Sequence, residues 1–263
     1  MSNQNNDELY RKLYNDHPEY IEFRKQEGKL YQKYLNDVKY WKLKYIEKLI
    51  RDPEHQKSIK NVVEVGCAIG VLLENFMRDF NLNKVGIDIS DKNIDAAKDL
   101  FPEISFYKGT LQDYILANKE SNVKTDLVIM SDLLEHVEND VDLLNQAGQI
   151  SKYVIINLPI EKVPEYKDRV YGVNDVEGHL RAYSVKDALD LCDQAGMEVV
   201  KFYSEQYVQQ PVFQKYLLAK LLEKHDDKAE ALLKFQEEVI QIKLDSDYYK
   251  TNFFALLKLK TKN

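Results

Sequence analysis

Acidic and imidazole side chains with a spacing suited to one site lie in the stretch SDLLEH, residues 131–136. Asp132, Glu135 and His136 stand at positions i, i+3 and i+4, so a single helical turn would present them on one face. A later histidine, His179, is predicted to approach the same pocket from its other side. Two carboxylates and two imidazoles suit a divalent cation, and an imidazole alone suits proton transfer near neutral pH. The spacing therefore predicts a metal site or a general base, and a purely structural role for the Glu-His pair stays open.

A second chemical signal is the glycine turn in VVEVGCAIG, residues 62–70. An apolar strand is predicted to end at Val65, and Gly66 and Gly70 let the backbone approach a ligand because neither has a Cβ. Asp88 follows Gly66 by about 22 residues, close to the spacing of a carboxylate that binds ribose hydroxyls. The turn predicts a nucleotide-containing cofactor, either a nicotinamide dinucleotide or S-adenosylmethionine.

Three features favour S-adenosylmethionine. Ala68 and Leu73 stand at two of the positions where the dinucleotide pattern G-x-G-x-x-G has glycines. Glu64 places a carboxylate just before the turn, where it repels a pyrophosphate and suits the cationic amino group of a sulfonium ligand. The chain ends with a late pair of predicted strands, 198–203 and 252–259, rather than with a second mononucleotide-binding half.

The elements that must position these residues follow from residue 61 onward, where short apolar runs alternate with helical periods. This alternation predicts a parallel sheet with helices on both faces, since near-continuous apolar strands fit burial on both faces. The five predicted strands are 62–65, 84–87, 104–107, 127–130 and 153–156.

Two helical regions flank the sheet. Residues 1–60 are rich in tyrosine and predict an N-terminal helical cap or lid, and residues 61–263 predict the cofactor-binding domain. A helical insertion is predicted at about 205–250, before the last strand.

Composition narrows the class of protein. The net charge is −7, and the lysines are interleaved with acids, so nucleic acid is not an expected partner. No run of roughly 18 apolar residues is present, which predicts no transmembrane helix. The polar start lacks the apolar core of a signal peptide, so the cytoplasm is the expected compartment. Two cysteines are too few for a disulfide framework.

VVEVGCAIG, GIDIS and SDLLEHVEND together resemble the class I S-adenosylmethionine-dependent methyltransferases. GHLRAYSVKDALDLCDQAGMEVV is similar to the segment after the fifth strand of many small-molecule members. The resemblance covers about residues 60–204 and the last strand. It implies an α/β fold with a Rossmann-like seven-stranded mixed sheet, whose last strand is antiparallel.

The resemblance also implies roles for individual residues. Glu64 and the two glycines of the turn would hold the methionine part of the cofactor, and Asp88 the ribose hydroxyls. Thr110 stands where many relatives have an adenine-binding aspartate, so Thr110, the Leu111 backbone or Asp113 would supply that contact. The predicted cofactor-binding residues are Glu64, Gly66, Cys67, Ala68, Gly70, Asp88, Ile89, Thr110, Leu111 and Ser131.

In this family the residues after the fourth strand face the methyl group that is transferred. Transfer from a sulfonium needs an oriented acceptor and a destination for its proton. His136 and His179 are the predicted catalytic residues, with His136 the first choice as base. Some methyltransferases with a similar acid-x-x-Glu-His pattern and a later histidine bind a divalent ion, which makes Asp132, Glu135, His136 and His179 candidate ligands.

The sequence thus predicts a methyltransferase that uses S-adenosylmethionine to methylate a small polar metabolite. A hydroxyl oxygen is favoured over nitrogen, and a sugar or sugar nucleotide is the leading acceptor. One alternative is an NAD(P)-dependent oxidoreductase, and another is a catalytically silent protein with an S-adenosylmethionine-binding fold. The sequence does not predict the oligomeric state.

Overall fold

A computed structural model describes residues 15, 35, 38–119, 125–172, 175, 177–206, 211–244 and 251–261. The predicted helical pattern before residue 38 therefore lies almost wholly outside them. No helix in the described ranges is long and apolar enough to cross a membrane.

Seven strands form one sheet, in the order β3-β2-β1-β4-β5-β7-β6. The first five strands pair in parallel, and β7 lies antiparallel between β5 and β6. The predicted mixed sheet with an antiparallel last strand is therefore confirmed. The strands are β1 (Asn61–Val65), β2 (Asn83–Asp88), β3 (Ser105–Lys108), β4 (Thr125–Ser131), β5 (Ser151–Ile160), β6 (Met197–Gln206) and β7 (Thr251–Leu259).

Helices cover both faces of the sheet, because side chains along the central strands alternate between two apolar clusters. Val63 and Val128 belong to one cluster, and Val62 and Leu127 to the other. The described helices are α1 (Leu43–Leu49), α2 (Pro53–Ser58), α3 (Val71–Asn75), α4 (Asp91–Leu100), α5 (Leu111–Ala117), α6 (Asp140–Ile150), α7 (Val185–Gln194), α8 (Pro211–Lys224) and α9 (Lys228–Leu244).

The described end of the N-terminal region packs directly on the sheet. A π-helical turn, Val38–Lys42, leads into α1, and Tyr45, Ile46 and Leu49 of α1 are buried in the cluster that contains Val62. Helices α8 and α9 lie between β6 and β7, where the helical insertion is predicted. The division into a cap and a cofactor-binding domain stays a prediction.

Candidate active site

The candidate site lies in a crevice at the carboxyl ends of β1 and β4. The strand order runs outward from β1 to β2 and β3 on one side, and from β4 to β5 on the other. A reversal of this kind is where parallel α/β sheets bind ligands. Gly66 follows β1 directly and Asp132 follows β4 directly. The glycine turn 66–70 and the stretch SDLLEH, residues 131–136, therefore lie at the same crevice.

The turn after β1 depends on glycine at two positions. Gly66 has φ +74° and Gly70 has φ +80°, in the left-handed region that favours glycine. A Cβ on Gly70 would lie 2.6 Å from Cζ of Phe106. Ala68 also adopts a positive φ, +47°, a backbone conformation that glycine adopts more easily than alanine. The backbone N–H groups of Gly66 and Cys67 both donate to the carbonyl of Ile87, so the turn is tied to β2.

Asp88 is the buried carboxylate at the end of β2. Its Oδ2 accepts the N–H of Ala68 at 2.9 Å, and its Oδ1 accepts the N–H of Ser90 at 2.8 Å. Nδ2 of Asn93 lies 3.5 Å from the same Oδ1, and a carboxylate can accept several hydrogen bonds at once. These contacts fit ribose binding, and Ile89 directly follows Asp88 in the chain.

Glu64 is a buried carboxylate in β1, 3% exposed. Its Oε2 has no hydrogen-bond partner among the described residues. Burial raises the pKa of Glu64 to about 8, and the nearby charge of Lys42 opposes this rise. A buried carboxylate oxygen without a partner is costly. It therefore fits a ligand that brings a cationic group, as the methionine part of S-adenosylmethionine does.

Thr110 and Asp113 form a reciprocal capping box at the start of α5. Oδ2 of Asp113 accepts both the backbone N–H and the hydroxyl of Thr110, at 2.9 and 2.8 Å. Asp113 thus has a local structural role at the helix start. The side chain of Leu111 is buried, so any contact of Leu111 with adenine would be made through its backbone.

Glu135, His136 and His179 lie close together near the carboxyl end of β4. One potential ligand atom from each lies within 4.8 Å of the others. The two imidazole rings stand edge to face with centroids 4.7 Å apart, and Nε2 of His136 is 3.8 Å from Oε1 of Glu135. Three of the four predicted metal ligands are therefore brought together.

Both histidines use Nδ1 for an oxygen partner. Nδ1 of His136 lies 3.0 Å from the carbonyl of Gly178, and a carbonyl can only accept, so this nitrogen carries the proton. Nδ1 of His179 lies 2.8 Å from Oε2 of Glu161. Burial, then the neighbouring His179, lower the pKa of His136 to about 4. The neutral ring of His136 consequently has its lone pair at Nε2.

Asp132 does not belong to the helical turn that the spacing predicts. Its φ is +49°, outside the right-handed helical region, and the 3-10 turn begins only at Leu134. Its Oδ1 accepts from Nδ2 of Asn157 at 2.7 Å, and its Oδ2 lies 2.6 Å from Nζ of Lys42. Asp132 is therefore outside the Glu135–His136–His179 group. Asn157 Nδ2 also lies 3.2 Å from Oγ of Ser131.

A charge network holds His179 in place, and sequence reasoning missed most of it. Arg169 binds both oxygens of Asp175 at 2.7 Å, and its Nη1 lies 3.1 Å from Oε1 of Glu161. Oδ1 of Asp175 also accepts the backbone N–H of His179 at 2.9 Å. Burial alone would raise the pKa of Asp175, but hydrogen bonds from Arg169 lower it to about 2. The one sequence signal for Glu161 is its position directly after an apolar strand.

A cleft of about 380 Å³ opens beside this network. Its walls include Pro164, Tyr166 and Tyr171, with Lys162 and Lys167 also lining it. The hydroxyl of Tyr171 is buried without a hydrogen-bond partner among the described residues. The cleft offers aromatic surface and cationic side chains to a small ligand.

Comparison with known proteins gives one family and one fold. The family described as "Methyltransferase domain" matches residues 31–201. No curated protein matches the sequence. The family match does not support the alternative of a nicotinamide-dependent oxidoreductase.

Solved structures share the fold at low sequence identity. Phosphoethanolamine N-methyltransferase 2 of Haemonchus contortus, with S-adenosyl-L-methionine, has a TM-score of 0.60 and 14% identity, over 95% of this chain and 60% of that one. Magnesium protoporphyrin IX methyltransferase of Synechocystis PCC 6803, with bound SAM, has a TM-score of 0.54 and 12% identity, and the match covers 96% of this chain and 97% of that one. The cyclase SpnF has a TM-score of 0.54 and 14% identity, and the match covers 90% of this chain and 97% of the cyclase. A cyclase among these structures means that the fold alone does not fix the reaction.

Proposed function

The chain belongs to the methyltransferase domain family of class I S-adenosylmethionine-dependent enzymes, and we propose that it methylates a hydroxyl oxygen of a small polar metabolite. S-adenosylmethionine is the cofactor, and when bound it supplies an electrophilic methyl group on a sulfonium. Glu64, Asp88 and the turn from Gly66 to Gly70 would hold it. Oε2 of Glu64, which has no hydrogen-bond partner among the described residues, fits its ammonium group. The buried carboxylate of Asp88 at the end of β2 fits its ribose hydroxyl groups.

The choice of oxygen is supported above all by the group of Glu135, His136 and His179. A neutral hydroxyl is a weak nucleophile and must lose its proton as the new bond forms, whereas a neutral amine can attack first and lose its proton afterwards. Nε2 of His136 and the carboxylate of Glu135 lie in one small volume, which suits binding and deprotonation of a hydroxyl. Their place after β4 puts them beside the crevice that would hold the cofactor.

The same three residues fit a divalent cation. Metal-binding histidines usually donate their second ring N–H to a carbonyl or carboxylate. His136 has such a partner in Gly178, and His179 has one in Glu161. A bound divalent ion would lower the pKa of an acceptor hydroxyl and orient it.

The low pKa of His136, about 4, favours the metal over proton transfer by His136 alone. A general base acts best when its pKa is near the working pH, whereas a metal ligand must be neutral imidazole. We therefore propose Glu135, His136 and His179 as the ion-binding set. Asp132, bonded to Lys42 and Asn157, would have to give up these contacts to join it.

The polar acceptor is supported by the cleft beside Glu161. Tyr166 and Tyr171 present ring surface, and Lys162 and Lys167 offer positive charge. Such a lining fits a ring-bearing metabolite with hydroxyl or anionic groups, including a sugar nucleotide. In this proposal, residues 1–60 form a cap over the site and 61–263 the cofactor-binding domain.

Thermal unfolding with S-adenosylhomocysteine and Mn²⁺ tests the proposal, since a ligand that binds only the folded protein raises its melting temperature. We expect S-adenosylhomocysteine to raise the melting temperature, and Mn²⁺ to raise it further in a way that chelator reverses. His179→Asn and Glu135→Gln should lose only the Mn²⁺ effect. His225→Asn is the control, because it changes a histidine that pairs with Glu230 and is not a member of this group.

Three outcomes would contradict different parts of the proposal. The absence of any shift at saturating S-adenosylhomocysteine would remove the methyltransferase assignment. A shift with S-adenosylhomocysteine but none with divalent ions would remove the metal. Mass spectrometry of hydroxylated and amine acceptors incubated with S-adenosylmethionine then separates oxygen from nitrogen methylation, and lack of any product would favour the catalytically silent alternative.

A further inference from the structure

The cleft beside Glu161 presents charge of one sign to solvent. Three of its lining residues are basic, Lys162, Lys167 and Arg169, and one is acidic, Glu161. The side chain of Glu161 is fully buried, and its two oxygens lie 3.1 Å from Nη1 of Arg169 and 2.8 Å from Nδ1 of His179. The exposed charge of the lining is therefore positive, although the whole chain carries a net charge of −7.

The three cations of the cleft differ in their partners. Arg169 pairs with three carboxylates, and its guanidinium lies 5.0 Å from the ring centroid of Tyr171. Nζ of Lys162 lies 2.9 Å from Oδ2 of Asp187. Lys167 is exposed, and its ammonium group forms no ion pair with any of the described residues. Lys167 is thus the cation of this cleft whose charge is not already matched by an acid.

The backbone fixes Lys167 at the edge of the cleft. Lys167 directly follows the 3-10 turn Pro164–Tyr166, and its N–H donates to the carbonyl of Pro164 at 3.3 Å. Glu165 and Asp168 flank it in sequence but do not line the cleft. The volume of about 380 Å³ lies in the range of small-ligand sites. An ammonium group beside apolar ring surface attracts an anion more strongly than one in open water, because the local dielectric is lower.

We propose that the cleft binds a phosphate or carboxylate group of the methyl acceptor, and that Lys167 selects for this group. A lysine ammonium makes charge-assisted hydrogen bonds to the oxygens of either group. The proposal rests on the proposed function, because it takes the cleft as part of the acceptor site. It narrows the acceptor from a polar metabolite to an anionic one, and it names the residue that makes the distinction.

Three sugars that differ only at carbon 6 test the proposal. Glucose is neutral, glucuronate carries a carboxylate, and glucose 6-phosphate carries a phosphate. Ligand-observed NMR titrations with protein saturated with S-adenosylhomocysteine give the three affinities. We expect at least one of the two anions to bind about tenfold more tightly than glucose, as for one hydrogen bond to a charged group. High salt should reduce this difference, because it screens exposed charges. The tighter of the two anions identifies the group that the cleft prefers.

Substitutions of Lys167 assign the preference to one side chain. Lys167→Gln should remove the preference for the anion while it leaves the affinity for glucose, the affinity for S-adenosylhomocysteine and the melting temperature unchanged, since no ion pair of the folded protein is lost. Lys167→Arg should keep most of the preference because it keeps the charge. Lys98→Gln is the control, as it removes an exposed lysine on α4, and it should change none of the affinities.

The outcomes separate this inference from the proposed function. Equal affinities of the wild type for the three sugars, or no binding of any of them, would overturn the proposal. A preference for the anion that persists in Lys167→Gln would overturn it as well. Each of these results removes only this inference if S-adenosylhomocysteine still binds. If the wild type does not bind S-adenosylhomocysteine at all, the proposed function itself fails.

Discussion

The two sides of the crevice hold their functional groups by different physical means. The proposed cofactor side comprises the turn 66–70 and Asp88, and the proposed acceptor side comprises Glu135–His136 and the loop 161–179. On the cofactor side, backbone N–H groups and left-handed glycines fix the geometry. On the acceptor side, Arg169 and three carboxylates fix it through charge.

This difference indicates which kinds of substitution should disrupt each side. Backbone geometry tolerates few residue types at its tight positions but needs no partner from elsewhere in the chain. A charge network tolerates many backbone conformations but leaves costly buried charges when one member is lost. The two sides should therefore fail independently, and each substitution below affects one side while the other serves as its control.

Arg169→Met should give the largest effect, because it leaves the carboxylates of Glu161 and Asp175 buried without their cation. Loss of one partner from a buried ion pair costs about 3–5 kcal/mol. We expect the free energy of unfolding in urea to fall by about this amount, and the stabilisation by Mn²⁺ to disappear with it. The affinity for S-adenosylhomocysteine, measured by calorimetry, should be unchanged.

Arg78→Met is the matched control for this substitution. Arg78 pairs with Glu74 at 3.3 Å, but its side chain is 71% exposed, so its loss should cost less than about 1 kcal/mol. If Arg169→Met also abolished the binding of S-adenosylhomocysteine, the two sides would be coupled, and the expectation that they fail independently would be wrong.

Gly70→Ala should have an intermediate effect, on the cofactor side alone. A left-handed conformation costs a residue with a Cβ roughly 1–2 kcal/mol, and this Cβ would also displace the ring of Phe106. We expect weaker binding of S-adenosylhomocysteine by calorimetry and a lower melting temperature, with the Mn²⁺ effect retained.

Gly196→Ala is the control for this substitution. Gly196 has a similar φ, +72°, and the nearest heavy atom lies 3.8 Å from the added Cβ. Equal losses of stability in the two variants would show that the contact with Phe106 contributes nothing.

The cofactor side could be predicted from sequence because its determinants are local. Gly66 and Gly70 are four residues apart in one turn, and Asp88 ends the next strand. The sheet and its antiparallel last strand followed from the alternation of apolar runs and from the family resemblance. Ala68 shows the limit of a pattern, since the structure keeps a positive φ there without glycine.

The acceptor side was only partly predictable because its contacts join distant or irregular segments. The family resemblance predicted that His179 lies near His136, although the two are more than forty positions apart in sequence, and their rings are in contact in the structure. The spacing of Asp132 was read as helical, whereas its positive φ turns it toward Lys42 and Asn157. Nothing in the periodicity of the loop indicates that Arg169 closes on Asp175 and Glu161, since ion pairing in a loop follows no repeat.

Glu64→Gln should give the smallest change in stability. It distinguishes a Glu64 carboxylate that Lys42 already stabilises from one that is stabilised only when a ligand binds. The folded protein raises the pKa of Glu64 from its usual 4.5 to about 8, so between these values the folded state retains a proton that the unfolded state has lost. The stability of the ligand-free wild type should therefore fall as the pH rises through this window, by roughly 1.4 kcal/mol per pH unit from this residue. Glutamine cannot ionise, so between pH 6.5 and 7.5 the variant should gain about that much stability relative to the wild type, while it loses affinity for S-adenosylhomocysteine. Urea unfolding at the two pH values and calorimetry measure both effects. A variant that is less stable than the wild type at pH 7.5 would mean that Lys42 already stabilises the Glu64 carboxylate in the ligand-free protein.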